Sequence, residues 1–290
     1  MMDQVDIFRA AFSFFGGALL TLSGSLAQLT THNDLASPST LGFDGIIVLM
    51  LLISHFILLS LGIANGLGPL SFILSVSIVL MAVALKGVFL KQQISSMQKK
   101  MKIFILMGLG LNLLIGAVFS FVQFVFMTLN IRFPTSLWFG SFRYYDQWWL
   151  FLFIFGALMS FLFLRKNLGR LTLLSIGHDF ARGYERNLSG VQTQSLLLSY
   201  FLTALVVCFF GVFSFFSLIT PHLFRQIFKA SLRKELLYGP LLGGVTMLSV
   251  DQLCYWVVFY GVEFPAGMVS SILGPLFLLT MLSKFVKVRN

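Results

Sequence analysis

The residues of this 290-residue chain that could titrate, ligate or attack are few: ten carboxylates, four histidines and two cysteines. Asp251 stands out, because it lies deep in the apolar run 236–260, with Glu263 at that run's end. An acid inside a hydrophobic span is costly and is functional by default, typically in an ion or proton pathway. A secondary transporter driven by an ion gradient would need Asp251 or Glu263 as its coupling acid, although one deep acid is thin for a relay. His178-Asp179 has the form of part of a catalytic pair, and a membrane-embedded enzyme would have to use it. No serine or cysteine is placed by sequence as its nucleophile, so the expectation is a chain that is not an enzyme. His32, His55, His178 and His222 show no ligand spacing, and no metal site is expected. Cys208 and Cys254 both lie in apolar runs and form no CxxC or disulfide framework. A GxxxxGK[ST] loop is absent, so energy has to come from a partner or an ion gradient.

The elements that would position these residues follow from composition. Apolar residues make up 58% of the chain and charged residues 10%, with a mean hydropathy of +0.92. Soluble domains carry about 25% charge, so a soluble enzyme is excluded, and so are a disordered chain and a nucleic-acid binder. The net charge of +10 reads as loop charge on a multi-span membrane protein. Apolar segments fall at 10–30, 44–64, 67–90, 103–129, 147–164, 196–228, 236–260 and 265–283, each near the ~20 residues a spanning helix needs. Fifteen of the 20 basic residues fall in four clusters: Lys91 to Lys102, Arg165 to Arg186, Lys229 to Lys234 and Lys284 to Arg289. All four can face the cytoplasm only if 196–228 crosses twice, as a full span near 196–213 and a short return near 214–228. A return of ~15 residues covers ~22 Å, too short to face lipid, and should pack inside the protein. The count is about nine crossings, with the N-terminus outside and the C-terminus cytoplasmic.

Four stretches carry motif-like spacing. Ser23 to Gly42 leaves the first span through small residues, suited to close helix packing, and turns at Asn33. Leu171 to Asn187 sets apolar residues in a charged loop, which reads either as a docking surface or as an interfacial helix. Gly211 to Gln226 contains Pro221, whose freed backbone groups a neighbouring helix must satisfy, and His222, either a proton carrier or a packed, hydrogen-bonded residue. Gly261 to Leu279 places Pro265 in the first turn of the last span and interrupts that span at Gly274-Pro275.

These stretches resemble the FecCD family, the permease subunits of binding-protein-dependent ABC importers for iron–siderophores, haem and cobalamin. Ser23-Gly24, Gln28, Asn33, Leu35-Ala36, Pro38 and Leu41-Gly42 look like the family's SG…Q…NPLA.P..LG, with Asp34 at the proline. Trp138 with Gly140-Ser141 is similar to its W..GS segment, and Leu174 to Arg182 to its LxLGxxxAxxLG loop. Gly211, Phe215, Leu218, Pro221-His222 and Arg225 match GxIxFxGLxxPHxxR, and Asp251, Glu263, Pro265, Gly267, Gly274-Pro275 and Phe277 match D…ExPxG…GaPxF. The resemblance runs from about Arg9 to Lys284, in the family's order.

The resemblance implies an all-α membrane protein: one permease domain over 1–290, a BtuC-like helical bundle lacking the usual first helix. It implies import of an iron(III)-siderophore, or of haem or cobalamin, across a bacterial inner membrane. The loop 165–192 would dock on the ATPase through Leu174, Ser175, Ile176, Gly177, His178, Asp179, Ala181 and Arg182. The span 103–129 would line the path, with Gly108, Gly110, Asn112 and Gly116 leaving room for a bulky chelate or else packing helices closely. Arg9, with Arg132 and Arg143 as substitutes, would meet carboxylates on the binding protein, since Tyr255 stands where an outer arginine often follows the aspartate. Asn33, Pro38, Pro221, His222, Asp251, Pro265, Gly274 and Pro275 would be structural motif residues. The implied partners are ABC ATPase subunits, a second permease copy or homologue, an extracytoplasmic binding protein and lipid, with no nucleic acid. The chain would bind no cofactor, ATP being held by the partner.

Overall fold

A computed structural model of the chain describes residues 4–62, 69–74, 76, 97–128, 139–143, 145–176, 188–259 and 262–288. Eight helices are traced: α1 (Gln4–Thr31), α2 (Phe43–Ser60), α3 (Met97–Thr128), α4 (Trp149–Ile176), α5 (Leu188–Phe210), α6 (Phe216–Phe228), α7 (Leu232–Trp256) and α8 (Ala266–Val288). Residues 69–74 are also helical. Between α7 and α8, strands β1 (Val258–Phe259) and β2 (Val262–Glu263) form a minimal antiparallel hairpin in which Val258 pairs with Glu263. The expected all-α bundle is therefore present.

The reason is backbone satisfaction, because apolar surroundings leave no water to bond free amides and carbonyls. Hydroxyls on these helices bond back to the preceding turn instead of remaining bare. Thr21 Oγ1 donates to Gly17 O at 2.8 Å, and Ser54, Ser160 and Ser195 each donate to the carbonyl four residues earlier at 2.7 Å. Among the described residues, stretches of α1, α4 and α5 are long and apolar enough to cross a membrane, and α2, α3 and α8 carry shorter ones.

α1 is the axis of the bundle. It packs most extensively on α7, then on α5, α6 and α4. The apolar windows of α1 and α5 are each 72% buried, whereas that of α4 is 22% buried, so α4 lies at the periphery. Small residues allow the α1–α7 approach: a Cβ on Gly17 would sit 2.4 Å from Gly243 O, and one on Gly243 would collide with the Thr21 side chain. At the end of the bundle near Phe12, an aromatic core joins α1, α4 and α5. Phe12 lies 5.1 Å from Phe210 and 5.6 Å from Phe153, and Phe142 stacks on Phe213 at 5.0 Å.

The break inferred from charge within 196–228 is observed as two helices. α5 ends at Phe210, an irregular segment follows, and α6 runs for 13 residues, about 20 Å. Gly211 and Phe215 hold positive φ values of 85° and 62° at this break. α6 is short because it is a packed half-helix, with Phe216, Ser217, Leu218, Thr220, Pro221 and Phe224 buried.

Two expectations are corrected. The loop placed at 165–192 is narrower, because 165–176 belong to α4 and 188–192 to α5. Leu171 and Leu174 are fully buried, extending the stripe Phe153, Gly156, Ser160, Leu164 and Asn167 down one face of α4. They fill this protein's own core and form no exposed patch. The last span is likewise uninterrupted: α8 is helical through Gly274 and Pro275.

Candidate functional site

Two polar clusters lie at opposite ends of α1. At its N-terminal end, Arg9 donates from Nε to Asp251 Oδ2 at 2.8 Å and from Nη2 to Asp251 Oδ1 at 3.0 Å. Nη1 reaches Glu263 Oε2 at 3.4 Å, and the guanidinium carbon lies 5.0 Å from the Tyr255 ring centroid. Asp251 is 1% exposed and Arg9 8%. A buried carboxylate needs a paired, hydrogen-bonded partner, and side-on arginine supplies charge and geometry together. This corrects the expectation that Arg9 faces a binding protein, since its donors are committed inside the bundle. It also bears on Asp251 as a coupling acid, because both of its oxygens are held by Arg9. Arg143 is exposed on the 139–143 loop, and Arg132 lies outside the described residues.

At the other end, Arg225 of α6 donates to Glu235 Oε1 at 2.9 Å and to Gln28 Oε1 at 2.6 Å, and lies 3.4 Å from Asp34 Oδ1. Gln28 in turn donates to Leu218 O at 3.1 Å. α1 thus packs closely on the proline-containing α6, and its Gly24 lies so near Ser217 O and Pro221 that no side chain fits there. Sequence reasoning missed Glu235, which is 2% exposed yet sits beside Arg233 and Lys234 like any loop charge. The signal was its place at the first turn of an apolar helix, opposite the arginine of α6.

Asn33 and Pro38 lie in the α1–α2 turn. Asn33 Oδ1 accepts from Leu35 N at 3.0 Å, and Pro38 O accepts from Phe43 N at 3.0 Å. His222 is a packed residue, its Nε2 lying 2.8 Å from Gln226 Nε2 and its ring edge-on to Phe277 at 5.5 Å. Pro265 sits one residue ahead of α8, and its carbonyl accepts from Met268 N at 2.9 Å. Gly274 lets α8 pass across Phe215 at the α5–α6 break. The same break is also bound through backbone: Gly140 N donates to Val212 O at 2.8 Å, and Gly267 N donates to Gly140 O at 2.7 Å.

The proposed path residues divide. Gly108 is buried against the Leu41–Gly42 backbone, where an added Cβ would come within 2.5 Å, so it packs helices and does not line open space. Gly110 and Gly116 meet nothing within 4 Å, and Leu113, Leu114, Phe121 and Phe124 beside them are exposed. α3 therefore presents a long open face, and the side chain of Asn112 lies outside the described ones. Of the docking residues, Leu174 is buried, Ser175 and Ile176 are exposed at the end of α4, and Gly177, His178, Asp179, Ala181 and Arg182 lie outside the described residues. Among the described residues no cluster of histidine, cysteine or carboxylate is arranged for a metal.

A profile of the FecCD transport family matches residues 1–284. The Fe(3+)-citrate import system permease protein YfmD of Bacillus subtilis is 25% identical over 278 residues, covering 95% of this chain and 79% of that protein. The iron(3+)-hydroxamate import system permease protein FhuB of Salmonella typhimurium is 26% identical over 284 residues, and the chain spans only 39% of its length. The hemin transport system permease protein HmuU of Yersinia pestis is 27% identical over 277 residues, 93% of this chain and 79% of that protein. Among solved structures, a chain assigned to the metal-chelate type of ABC transporter, in an inward-facing conformation, gives a TM-score of 0.77 at 24% identity, over 97% of this chain and 88% of that one. A chain of PsaBC from Streptococcus pneumoniae in complex with Fab gives 0.60 at 14% identity, over 99% of this chain and 96% of that one. At such identities the two structures establish the fold.

Proposed function

Because the chain belongs to the FecCD transport family, we propose that it is the permease subunit of a binding-protein-dependent ABC importer, moving an iron(III)-siderophore or related chelate across a bacterial cytoplasmic membrane. The observation that carries this reading is the family match over residues 1–284, which takes in all five motifs in order. ATP hydrolysis belongs to a separate chain. The Arg9 end faces outward and the Arg225 end inward, an orientation supported by Arg165, Lys166, Arg170, Lys229, Arg233 and Lys234 gathering with Arg225. The exposed Trp148 and Trp256 at the opposite end suit a membrane–water interface.

In this reading the open face of α3, with Gly110, Asn112 and Gly116, borders the path, and a second permease supplies the facing wall. The end of α4 from Ser175 and the segment through Arg182 meet the ATPase. Transport alternates between two packings of the bundle, and nucleotide on the partner biases which one is populated. A tagged pull-down from membranes in mild detergent tests the reading. A nucleotide-binding subunit that co-purifies with ATPase activity is the expected result. A stable chain that carries substrate in vesicles with no partner, and stops when an ion gradient is collapsed, would overturn it.

A further inference from the structure

α4 lies at the periphery of the bundle, its apolar window 22% buried, and its exposed surface changes character along its length. Phe151, Phe155, Leu158, Phe161 and Leu162 are each more than half exposed. Arg165 and Lys166, both exposed, and the partly exposed Arg170 then follow. α5 makes the same change in the opposite direction, from exposed Thr193 and Gln194 to the apolar run that starts at Leu196. A boundary between hydrocarbon and headgroups therefore crosses both helices near Phe163 and Gln194.

Two cavities meet at that level. One, of about 440 Å³, is lined by Lys166, Asn167, Arg170 and Gln194 beside Leu162 and Phe163. The other, of about 400 Å³, is apolar and runs along Met159, Phe163, Leu197 and Phe201. They share Phe163 and Gln194, so a basic chamber at headgroup depth opens onto a groove at hydrocarbon depth. Among the described residues no acidic side chain lines either one. Lys166 and Arg170 lie one turn apart on the same face of α4. Tyr200 also lines the groove, and its buried hydroxyl has no hydrogen-bond partner among the described residues. It lies six residues, about 9 Å, along α5 from Gln194, toward the hydrocarbon, at a depth suited to a glycerol ester.

We propose that chamber and groove together hold one anionic phospholipid, its phosphate against Lys166 and Arg170 and an acyl chain along Met159, Phe163, Leu197 and Phe201. Basic pockets between transmembrane helices take acidic headgroups, and each methylene laid in the groove adds favourable apolar burial. A free phosphate satisfies only the chamber, and a zwitterionic lipid leaves the two cations poorly matched. The proposal rests on membrane insertion and not on which chelate is carried.

The test uses the full chain purified in mild detergent. Lipids that stay bound are identified by mass spectrometry. Thermal melting is then followed with added phosphatidylglycerol, phosphatidylcholine or inorganic phosphate. The expected result is retention of an acidic phospholipid above its share of the membrane, and a melting rise specific to phosphatidylglycerol. In the K166Q/R170Q variant the headgroup preference should fall about twenty-five-fold, from roughly fivefold per basic side chain. K166R/R170K should keep it. Equal shifts with both lipids, a full shift from phosphate alone, or a preference unchanged in K166Q/R170Q would overturn the proposal. If that variant does not fold, the headgroup series on the unaltered chain decides, since it needs no substitution.

Discussion

Arg9 and Asp251 are 242 residues apart in sequence and share two hydrogen bonds of 2.8 and 3.0 Å, clamping the first turns of α1 to the last turns of α7. Arg9→Ala leaves a buried carboxylate without its cation and should destabilise the chain by about 3–5 kcal/mol. Asp251→Asn should likewise lower stability without making uptake sensitive to a proton uncoupler. The double change Arg9→Ala with Asp251→Ala should cost less than the sum of the single changes, a coupling readable by thermal melting in detergent. Strict additivity would mean that the pair is not the unit described.

Gly17 and Gly110 should respond in opposite ways to a methyl group. Gly17→Ala drives a Cβ into Gly243 O and Met247, where backbone must shift, whereas Gly110→Ala meets open space. The first should lose most of its monodisperse protein on fluorescence-detected size exclusion. The second should elute like the unaltered chain, with any defect confined to transport.

Arg225 is the hub of the second cluster, and its removal should strand Glu235. Arg225→Met should cost several kcal/mol, about 3–5 by analogy with other broken buried pairs. Adding Glu235→Gln should recover part of that loss, because the stranded group is then neutral and can still hydrogen-bond. Denaturant or thermal midpoints of the two variants decide it.

Arg182→Glu reverses a charge in the segment assigned to the ATPase. Uptake should be abolished while membrane insertion and yield remain unchanged, and the co-purifying nucleotide-binding subunit should be lost. Uptake at the unaltered rate would remove the docking role from this residue.

Charge parity made the α5–α6 break legible before any coordinates, because two basic clusters could share a side only if the run between them doubled back. The helical extent of α4 is legible too. Leu164, Asn167, Leu171 and Leu174 repeat at three- and four-residue spacing, continuing the buried stripe that starts at Phe153. Arg165, Lys166 and Arg170, off that stripe, give the stretch the look of a loop. The fate of Arg9 could not be read, because a lone arginine at a helix start is equally suited to an exterior partner and an interior one. Only the packing of α1 on α7 chooses between them. Gly108, Gly110 and Gly116 look alike in sequence, and what distinguishes them is the turn at Leu41–Gly42 brought against one of the three.

The central place of α1 sets a schedule for assembly. It leaves the ribosome well before its most extensive partner, α7. At about 5–20 residues per second, roughly ten to fifty seconds separate the synthesis of Arg9 from that of Asp251. Throughout that interval a helix built to be enclosed on all sides has its small-residue face against lipid or another temporary cover. Its guanidinium has to wait in the headgroup layer. Biogenesis of this protein is therefore a problem of delayed closure, in which α1 is stored before it is buried.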